Sequence, residues 1–120
     1  MNASEPADVR AATLPGPDGD VEVALPHPPA QSLVAGGVIV VRTESPPRTI
    51  DNRNVHAFAA DGTPLWRLAE LGDPAADDPV VGLALLGSGA LRLDTWTGDA
   101  WLVDPATGDA RPGPRDGRPW

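Results

Sequence analysis

Short runs of alternating apolar and polar residues dominate the chain, and they predict β-strands. In the segment NVHAFA, residues 54–59, the side chains of Val55 and Ala57 point to one side and those of His56 and Phe58 to the other. Side chains alternate in this way along a strand, whose period is two residues. The segment therefore predicts a strand with one face of small residues and one face that carries the imidazole and phenyl rings.

A tight turn and a returning strand follow this segment. Asp61 and Gly62 form a hairpin signal, because glycine readily adopts the positive φ that tight turns between strands need. Residues 64–68 then alternate again, with Trp66 and Leu68 on one face. The two runs together predict an antiparallel hairpin.

The most continuous apolar run predicts the core strand. Val38–Val41 are four consecutive β-branched residues, and such a strand suits a position covered on both faces. We expect this apolar run to lie within a strand over residues 36–43. The segment VEVAL at 21–25 alternates and ends at a proline, which favours a short edge strand. Residues 26–31, PHPPAQ, predict a break between these two strands.

Turn signals rich in glycine and aspartate separate four further runs after an acidic linker at residues 69–80. The predicted fold class is all-β, with about eight short antiparallel strands in β-meanders that form two four-stranded units. The first unit comprises residues 21–25, 36–43, 54–59 and 64–68, and the second comprises residues 80–86, 90–96, 99–104 and 108–111.

The length of 120 residues suits a single domain. We expect one all-β domain over residues 21–111, between a flexible N-terminal segment, 1–20, and a flexible C-terminal tail, 112–120. The chain has one Phe and no Tyr, so large side chains for its core must come from tryptophan. Trp66 and Trp101 are predicted to be structural residues of that core.

The hairpins that turn at Gly62 and Gly108 share a pattern. VHAFAADGTPLWRL and AWLVDPATGDAR each place an alternating strand before a turn that ends in glycine, at a spacing close to the ~40 to 50 residues of a propeller repeat. Over roughly residues 53–111 the pattern resembles the quinoprotein-type (PQQ-like) β-propeller repeat. The resemblance implies two blade-like units that pack as a sandwich or form one strongly twisted sheet.

A closed propeller is not implied by this resemblance. Propellers need about four to eight blades, and the chain supplies strands for two. Quinoprotein enzymes bind their cofactor in the central channel of a closed ring, so no cofactor is predicted. As a whole, the chain is also similar to small uncharacterised bacterial proteins with an N-R-N-V-x-A-F strand and a final W-x-G … D-x-x-T-G hairpin. That likeness implies a fold and no chemistry.

The net charge of the chain limits the kinds of macromolecule that it can bind. The formal net charge is −8 and the isoelectric point is about 4.4, whereas nucleic acids and anionic membranes require clustered positive charge. Neither is predicted as a partner, and a protein with a basic surface fits better. The chain has no cysteine, no signal-peptide pattern and no apolar stretch long enough to span a membrane. These features favour a cytoplasmic protein.

No catalytic or metal-binding residues are predicted. His27 lies between two prolines in an expected loop, and Ser88 in the sequence GSG lacks the pattern of a nucleophile elbow. Asp18 and Asp20 lack the later oxygen ligands of a calcium-binding loop.

The densest group of hydrogen-bonding side chains occupies residues 51–54, at the entry to a predicted strand. Asx turns and an ion pair between Arg53 and a nearby aspartate would give this group a structural role. Alternatively, it forms a recognition patch beside Trp66 and Trp96, since arginine and tryptophan dominate binding hot spots. The candidate binding residues are Asp51, Asn52, Arg53, Asn54 and His56.

The lack of an assembled catalytic set favours a noncatalytic binding or protein-interaction module. One specific form is an immunity-like protein, whose negative charge would complement a basic toxin. The alternative is a small hydrolase or isomerase with a deep pocket that converges on Arg53, His56 and an aspartate. A third hypothesis is a fragment that assembles with other copies into a propeller ring.

Overall fold

The computed structural model describes residues 10–72 and 76–113. All regular secondary structure in these two ranges is β-strand. In chain order, the strands are β1 (Arg10–Leu14), β2 (Val21–Leu25), β3 (Pro29–Ala35), β4 (Val38–Thr43), β5 (Val55–Phe58), β6 (Pro64–Arg67), β7 (Val80–Leu85), β8 (Leu91–Thr95), β9 (Ala100–Val103) and β10 (Ala110–Pro112).

The described strands form three antiparallel sheets, and none of the three closes into a barrel. β1 and β2 make a two-stranded hairpin, β3 to β6 make a four-stranded meander, and β7 to β10 make a second one. Neighbouring strands in each meander are also neighbours in the sequence. The prediction of an all-β fold with two four-stranded antiparallel units is therefore confirmed.

The first meander begins with a different strand from the predicted one. Residues 29–35, which include part of the predicted break, form β3, and the chain turns at Gly36 and Gly37 into β4. Both glycines have positive φ, 57° and 82°. The expected single strand over 36–43 is thus the second half of a hairpin. Apolar residues on both sides of the turn hide this hairpin from a hydrophobicity pattern, and only the Gly-Gly pair marks it.

The strand at 21–25 pairs with a segment that was expected to be flexible. Arg10–Leu14 forms β1, and Leu14 lies opposite Val21 in the register of the hairpin. Burial of Leu14 and Val23 against the first meander explains why this segment is ordered. The domain therefore begins earlier than residue 21. The tail predicted at 112–120 falls mostly outside the described residues, and Pro112 itself belongs to β10.

Two apolar clusters lie on opposite faces of the first meander. One cluster fills the space between the two meanders and includes Val40, while the other lies under the β1–β2 hairpin and includes Ile39 and Val41. Each of these three side chains is fully buried. The prediction that Val38–Val41 form a strand covered on both faces is confirmed, because β4 is sandwiched between the hairpin and the second meander.

The tryptophans lie at the border of the core and not at its centre. Trp66 and Trp101 are half-buried and pack against the cluster between the meanders, while Leu68 and Val103 on the same faces are fully buried. Aliphatic side chains thus fill the centre, and the two indoles close its sides. Both tryptophans pack against the core, as a structural role requires, but they are less buried than expected.

Candidate functional site

Asn54 joins the two meanders through its buried side-chain amide. Its Nδ2 donates hydrogen bonds to the backbone oxygen of Thr43 at 3.1 Å and of Val80 at 2.9 Å. Its Oδ1 accepts a hydrogen bond from the backbone N–H of Val80 at 3.0 Å. Thr43 ends β4 and Val80 begins β7, so one amide satisfies backbone groups of both sheets. Both N–H groups of Asn54 are already engaged, and neither is free to donate to a ligand.

Asn52 holds the connection between the meanders in a similar way. Its Oδ1 accepts a hydrogen bond from the backbone N–H of Asp78 at 2.9 Å, and its Nδ2 donates to the backbone oxygen of Ala76. The carboxylate of Asp78 in turn accepts a hydrogen bond from the N–H of Thr97 at 2.8 Å. This chain of contacts fixes the β8–β9 turn, where Trp96 stands 73% exposed.

Asp51 pairs with Arg67 and not with Arg53. The Nη2 group of Arg67 lies 3.0 Å from Oδ1 and 2.9 Å from Oδ2 of Asp51. Arg53 instead donates its backbone N–H to Asp51 and its Nε to the backbone oxygen of Leu68. Arg67 also donates its Nε to the backbone oxygen of Arg53. The sequence analysis missed Arg67, which only the register of β5 with β6 brings to this cluster.

His56 lies on the hairpin-facing side of β5, opposite Arg67 in the neighbouring strand. Its side chain is 8% exposed, and its Nε2 has no hydrogen-bond partner among the described residues. Burial, and secondarily the positive charge of Arg67, lower the pKa of His56 to about 4. The imidazole is therefore neutral at neutral pH.

Asp51, Asn52, Arg53 and Asn54 lie at one end of the domain, which we call the loop end, whereas His56 lies in β5. It comprises the loop at 44–54, the linker at 76–79 and the β8–β9 turn at 96–99. The loop end includes Trp96, as the patch hypothesis expected, whereas Trp66 contacts the β9–β10 turn at the opposite end. Most of the polar side chains here are engaged in internal hydrogen bonds, which matches the structural interpretation of the cluster.

The pocket expected for a hydrolase or isomerase is not found among the described residues. The pocket beside His56 measures about 250 Å³, and neither Arg53 nor an aspartate lines it. Within residues 10–72 and 76–113, no group of three or more histidine or acidic residues could hold a metal ion.

The opposite end of the domain, which we call the turn end, is formed by the β1–β2, β5–β6 and β9–β10 turns. Gly62 lies against the backbone of Glu22, where an added Cβ would come within 2.7 Å of the carbonyl oxygen. The indole Nε1 of Trp66 donates a hydrogen bond to the backbone oxygen of Pro105 at 2.8 Å. These contacts bring the three turns to one side of the molecule.

The turn end carries a set of exposed carboxylates that have no arginine partner among the described residues. By contrast, Glu44, Asp51 and Asp94, which lie elsewhere, each pair with an arginine. The carboxylates of the turn end belong to Asp18, Asp20, Glu22, Asp61, Asp104 and Asp109.

A groove of about 540 Å³ adjoins the carboxylates of the second meander. It lies between the β7–β8 turn and the β9–β10 turn, and Leu102, Asp104, Asp109 and Arg111 are among the residues that line it. The groove gives the acidic end a concave surface with both polar and apolar lining residues. Such a surface can hold a protruding side chain of a partner.

A family profile described as Domain of unknown function (DUF7957) matches residues 18–112. The chain belongs to this family. No curated protein and no solved structure matches the chain. None of the described residues forms a helix of the length and hydrophobicity that crossing a bilayer requires.

The region shared with the DUF7957 family extends from the β1–β2 turn to the last residue of β10. It includes the polar residues of the loop end and all six carboxylates of the turn end. β1 precedes the matched region, although it pairs with β2 along its whole length.

Proposed function

We propose that the domain is a noncatalytic protein-interaction module that binds a basic surface of a partner protein through its turn end. The observation that carries this proposal is the set of exposed carboxylates there, which lack arginine partners among the described residues. The net charge of −8 adds to the negative electrostatic potential around these carboxylates. A partner with clustered lysine or arginine would be attracted over several ångströms and oriented by this end.

The carboxylates differ in their pairing at the two ends of the domain, and this difference supports a binding surface at the turn end. Arg67 neutralises Asp51 at the loop end, and the amide of Asn52 is engaged with the linker. At the turn end, the exposed carboxylates have no arginine partner among the described residues, so a cationic partner would supply the missing opposite charge. An immunity-like protein that neutralises a basic toxin in the cytoplasm is one form of this function.

The resemblance to propeller repeats stays a separate proposal. Two four-stranded meanders that stack face to face through one apolar cluster support it. The binding function does not depend on it, because the exposed carboxylates lie on turns or, in the case of Glu22, at an exposed position of β2, and not on the stacked faces.

Carbodiimide cross-linking in a lysate of the producing cells tests the proposed surface. This reagent joins a carboxylate directly to a lysine amine, and all nine basic residues of the chain are arginine. Apart from the N-terminal amine, every cross-link must therefore reach another molecule. We expect one predominant partner, joined at Asp18, Asp61 or Asp109.

The carboxylates outside the turn end serve as the internal control for this experiment. Glu44, Glu70 and Asp77 are also exposed, so the reagent can activate them equally well. Cross-links spread evenly over both groups would indicate random encounters and would contradict the proposal. Cross-links concentrated on the control group would place binding outside the turn end and would also contradict the proposal.

A further inference from the structure

A second pocket lies on the other face of the first meander, between β2 and β6. Its volume is about 250 Å³, and it is lined by Ala24, Phe58 and Leu65 together with the polar residues His56 and Arg67. β2 and β6 are both edge strands among the described sheets, so the pocket opens at the side of the domain. None of the six carboxylates of the turn end lines it.

His56 gives this pocket an unused hydrogen-bonding group. The side chain is 8% exposed, and no described residue bonds to its Nε2. Buried polar atoms in folded proteins almost always have a partner, so an unpartnered one that lines a pocket marks a position for a ligand atom. A neutral imidazole can present an N–H at Nε2 in one of its two tautomers.

Arg67 supplies a second donor beside His56. Its Nε and Nη2 groups are engaged with Arg53 and Asp51, and no contact among the described residues engages its Nη1. Guanidinium groups favour carboxylates because their N–H donors match the two carboxylate oxygens. No carboxylate lines this pocket to compete for the site.

Two cationic side chains, Arg67 and Arg53, lie near His56, and the carboxylate of Asp51 is paired with Arg67. A bound carboxylate would share the guanidinium of Arg67 with Asp51 through Nη1. The apolar wall formed by Phe58 and Leu65 would accept a small aliphatic group.

We propose that this pocket binds a small aliphatic carboxylate, whose oxygens accept hydrogen bonds from Nε2–H of His56 and from Nη1 of Arg67. The aliphatic tail packs against Phe58 and Leu65. The same chemistry is found in a free short-chain acid and in the C-terminus of a peptide that ends in an aliphatic residue. The small volume excludes a folded partner from the interior of the pocket.

NMR titration of the whole protein with sodium isovalerate tests this proposal. We expect saturable shifts of the His56 ring signals and the Leu65 methyl signals. Isovaleramide, which has the same shape without the charge, should bind at least about tenfold more weakly because it loses the charge-assisted bonds. Equal binding of acid and amide, or no saturable shift, would overturn the proposal.

Two variants connect the signal to the pocket. Leu65→Trp should fill the pocket and abolish the shifts of the His56 ring, while the equally exposed Leu85→Trp, on a strand of the other meander, should leave them unchanged. His56→Phe keeps a buried ring but removes the donor, and should also abolish binding. Unchanged binding in Leu65→Trp would place the acid elsewhere and contradict the proposal.

A comparison of two carboxylates identifies the source of the ligand. N-acetylglycyl-leucine carries the same branched tail next to a peptide C-terminus, whereas isovalerate is a free acid. Tighter binding of the dipeptide would assign the pocket to peptide C-termini, and tighter binding of isovalerate would assign it to free acids. Either result, with the tenfold preference for the charged form, supports a carboxylate site.

Discussion

The indole of Trp66 lies directly against the backbone of Gly108, so that a Cβ added at Gly108 would come within 2.7 Å of the indole Cδ2. Trp66 belongs to β6 of the first meander, and Gly108 belongs to the β9–β10 turn of the second. The same indole donates a hydrogen bond to Pro105 in that turn. One side chain thus fixes the distance between the two sheets at the turn end.

Gly108→Ala should destabilise the domain more than an equivalent substitution at an open glycine. Gly89 is the matched control, because its φ of 91° is close to the 82° of Gly108, and an added Cβ there meets nothing within 4 Å. We expect about 1 kcal/mol for Gly89→Ala from backbone strain alone, and about 3 kcal/mol for Gly108→Ala, because the methyl also displaces the indole. Urea unfolding measures both. Equal losses would show that the indole contact is not tight.

Trp66→Phe should separate the hydrogen bond from the packing of the ring. The phenyl ring keeps much of the apolar contact but cannot donate to Pro105, so we expect a loss of about 1 to 2 kcal/mol in the free energy of unfolding. Trp66→Ala should lose about 3 kcal/mol, at the lower end of the range for aromatic truncation because the indole is only half-buried. If Trp66→Ala left the melting temperature unchanged, the indole would not be structural.

Asn54→Ala should be among the most destabilising polar substitutions in the chain. It leaves the N–H and carbonyl of Val80 and the carbonyl of Thr43 without their partner. Unsatisfied buried groups cost about 1 to 3 kcal/mol each, and partial hydration reduces their sum, so we expect about 3 kcal/mol in total. The control is Asn52→Ala, at a more exposed position, for which we expect about 1 kcal/mol. A smaller effect at Asn54 than at Asn52 would contradict the structural role of Asn54.

The lowered pKa of His56 makes the stability of the domain dependent on pH. The pKa is about 4 in the folded protein against 6.5 for an unperturbed histidine, so the unfolded chain binds more protons between these values. Stability contributed by the neutral imidazole is complete above about pH 6.5 and is lost as the pH falls towards 4. We expect a loss on the order of 2 kcal/mol, less than the full shift implies because the group is not wholly shielded from water.

His56→Phe provides the reference for the pH measurement. The variant should show a flatter dependence of unfolding free energy on pH between about 6.5 and 4, because its ring does not titrate. Denaturant unfolding at a series of pH values measures the difference between the two slopes. Parallel slopes in the parent and the variant would mean that His56 does not couple folding to protonation.

Local patterns in the sequence predicted most of the second meander and the covered β4 strand. Alternation and glycine turns specify these elements, because each strand pairs with its neighbour in the chain. The β3–β4 hairpin escaped prediction because apolar residues flank its Gly36–Gly37 turn on both sides. β1 escaped because Arg10–Leu14 has only a weak pattern, and its order comes from burial of Leu14 between the hairpin and the first meander.

The sequence located the polar cluster but could not assign its bonds. Asx-type contacts such as that of Arg53 with Asp51 are local and follow from residue type. The bond from Asn54 to Val80 and the ion pair of Asp51 with Arg67 join positions far apart in the chain, so they depend on how the sheets stack. The turn end was missed for the same reason, because its carboxylates come from three separate hairpins.

A comparison of two variants, each of which loses three negative charges, tests the central claim, that the turn end binds a basic partner. One variant carries Asp18→Asn, Asp61→Asn and Asp109→Asn, and asparagine keeps the oxygen that Asp61 offers to Thr63 in its turn. The matched control carries Glu44→Gln, Glu70→Gln and Asp77→Asn, which removes the same charge from exposed positions outside the turn end.

Calorimetric titration of both variants with the partner recovered by cross-linking, at low ionic strength, gives the most direct measurement. We predict that the turn-end variant binds at least about tenfold more weakly than the parent, with a shallower dependence on salt, while the control stays within about twofold. Equal weakening of the two variants, or a greater loss in the control, would contradict the claim that binding is localised at the turn end.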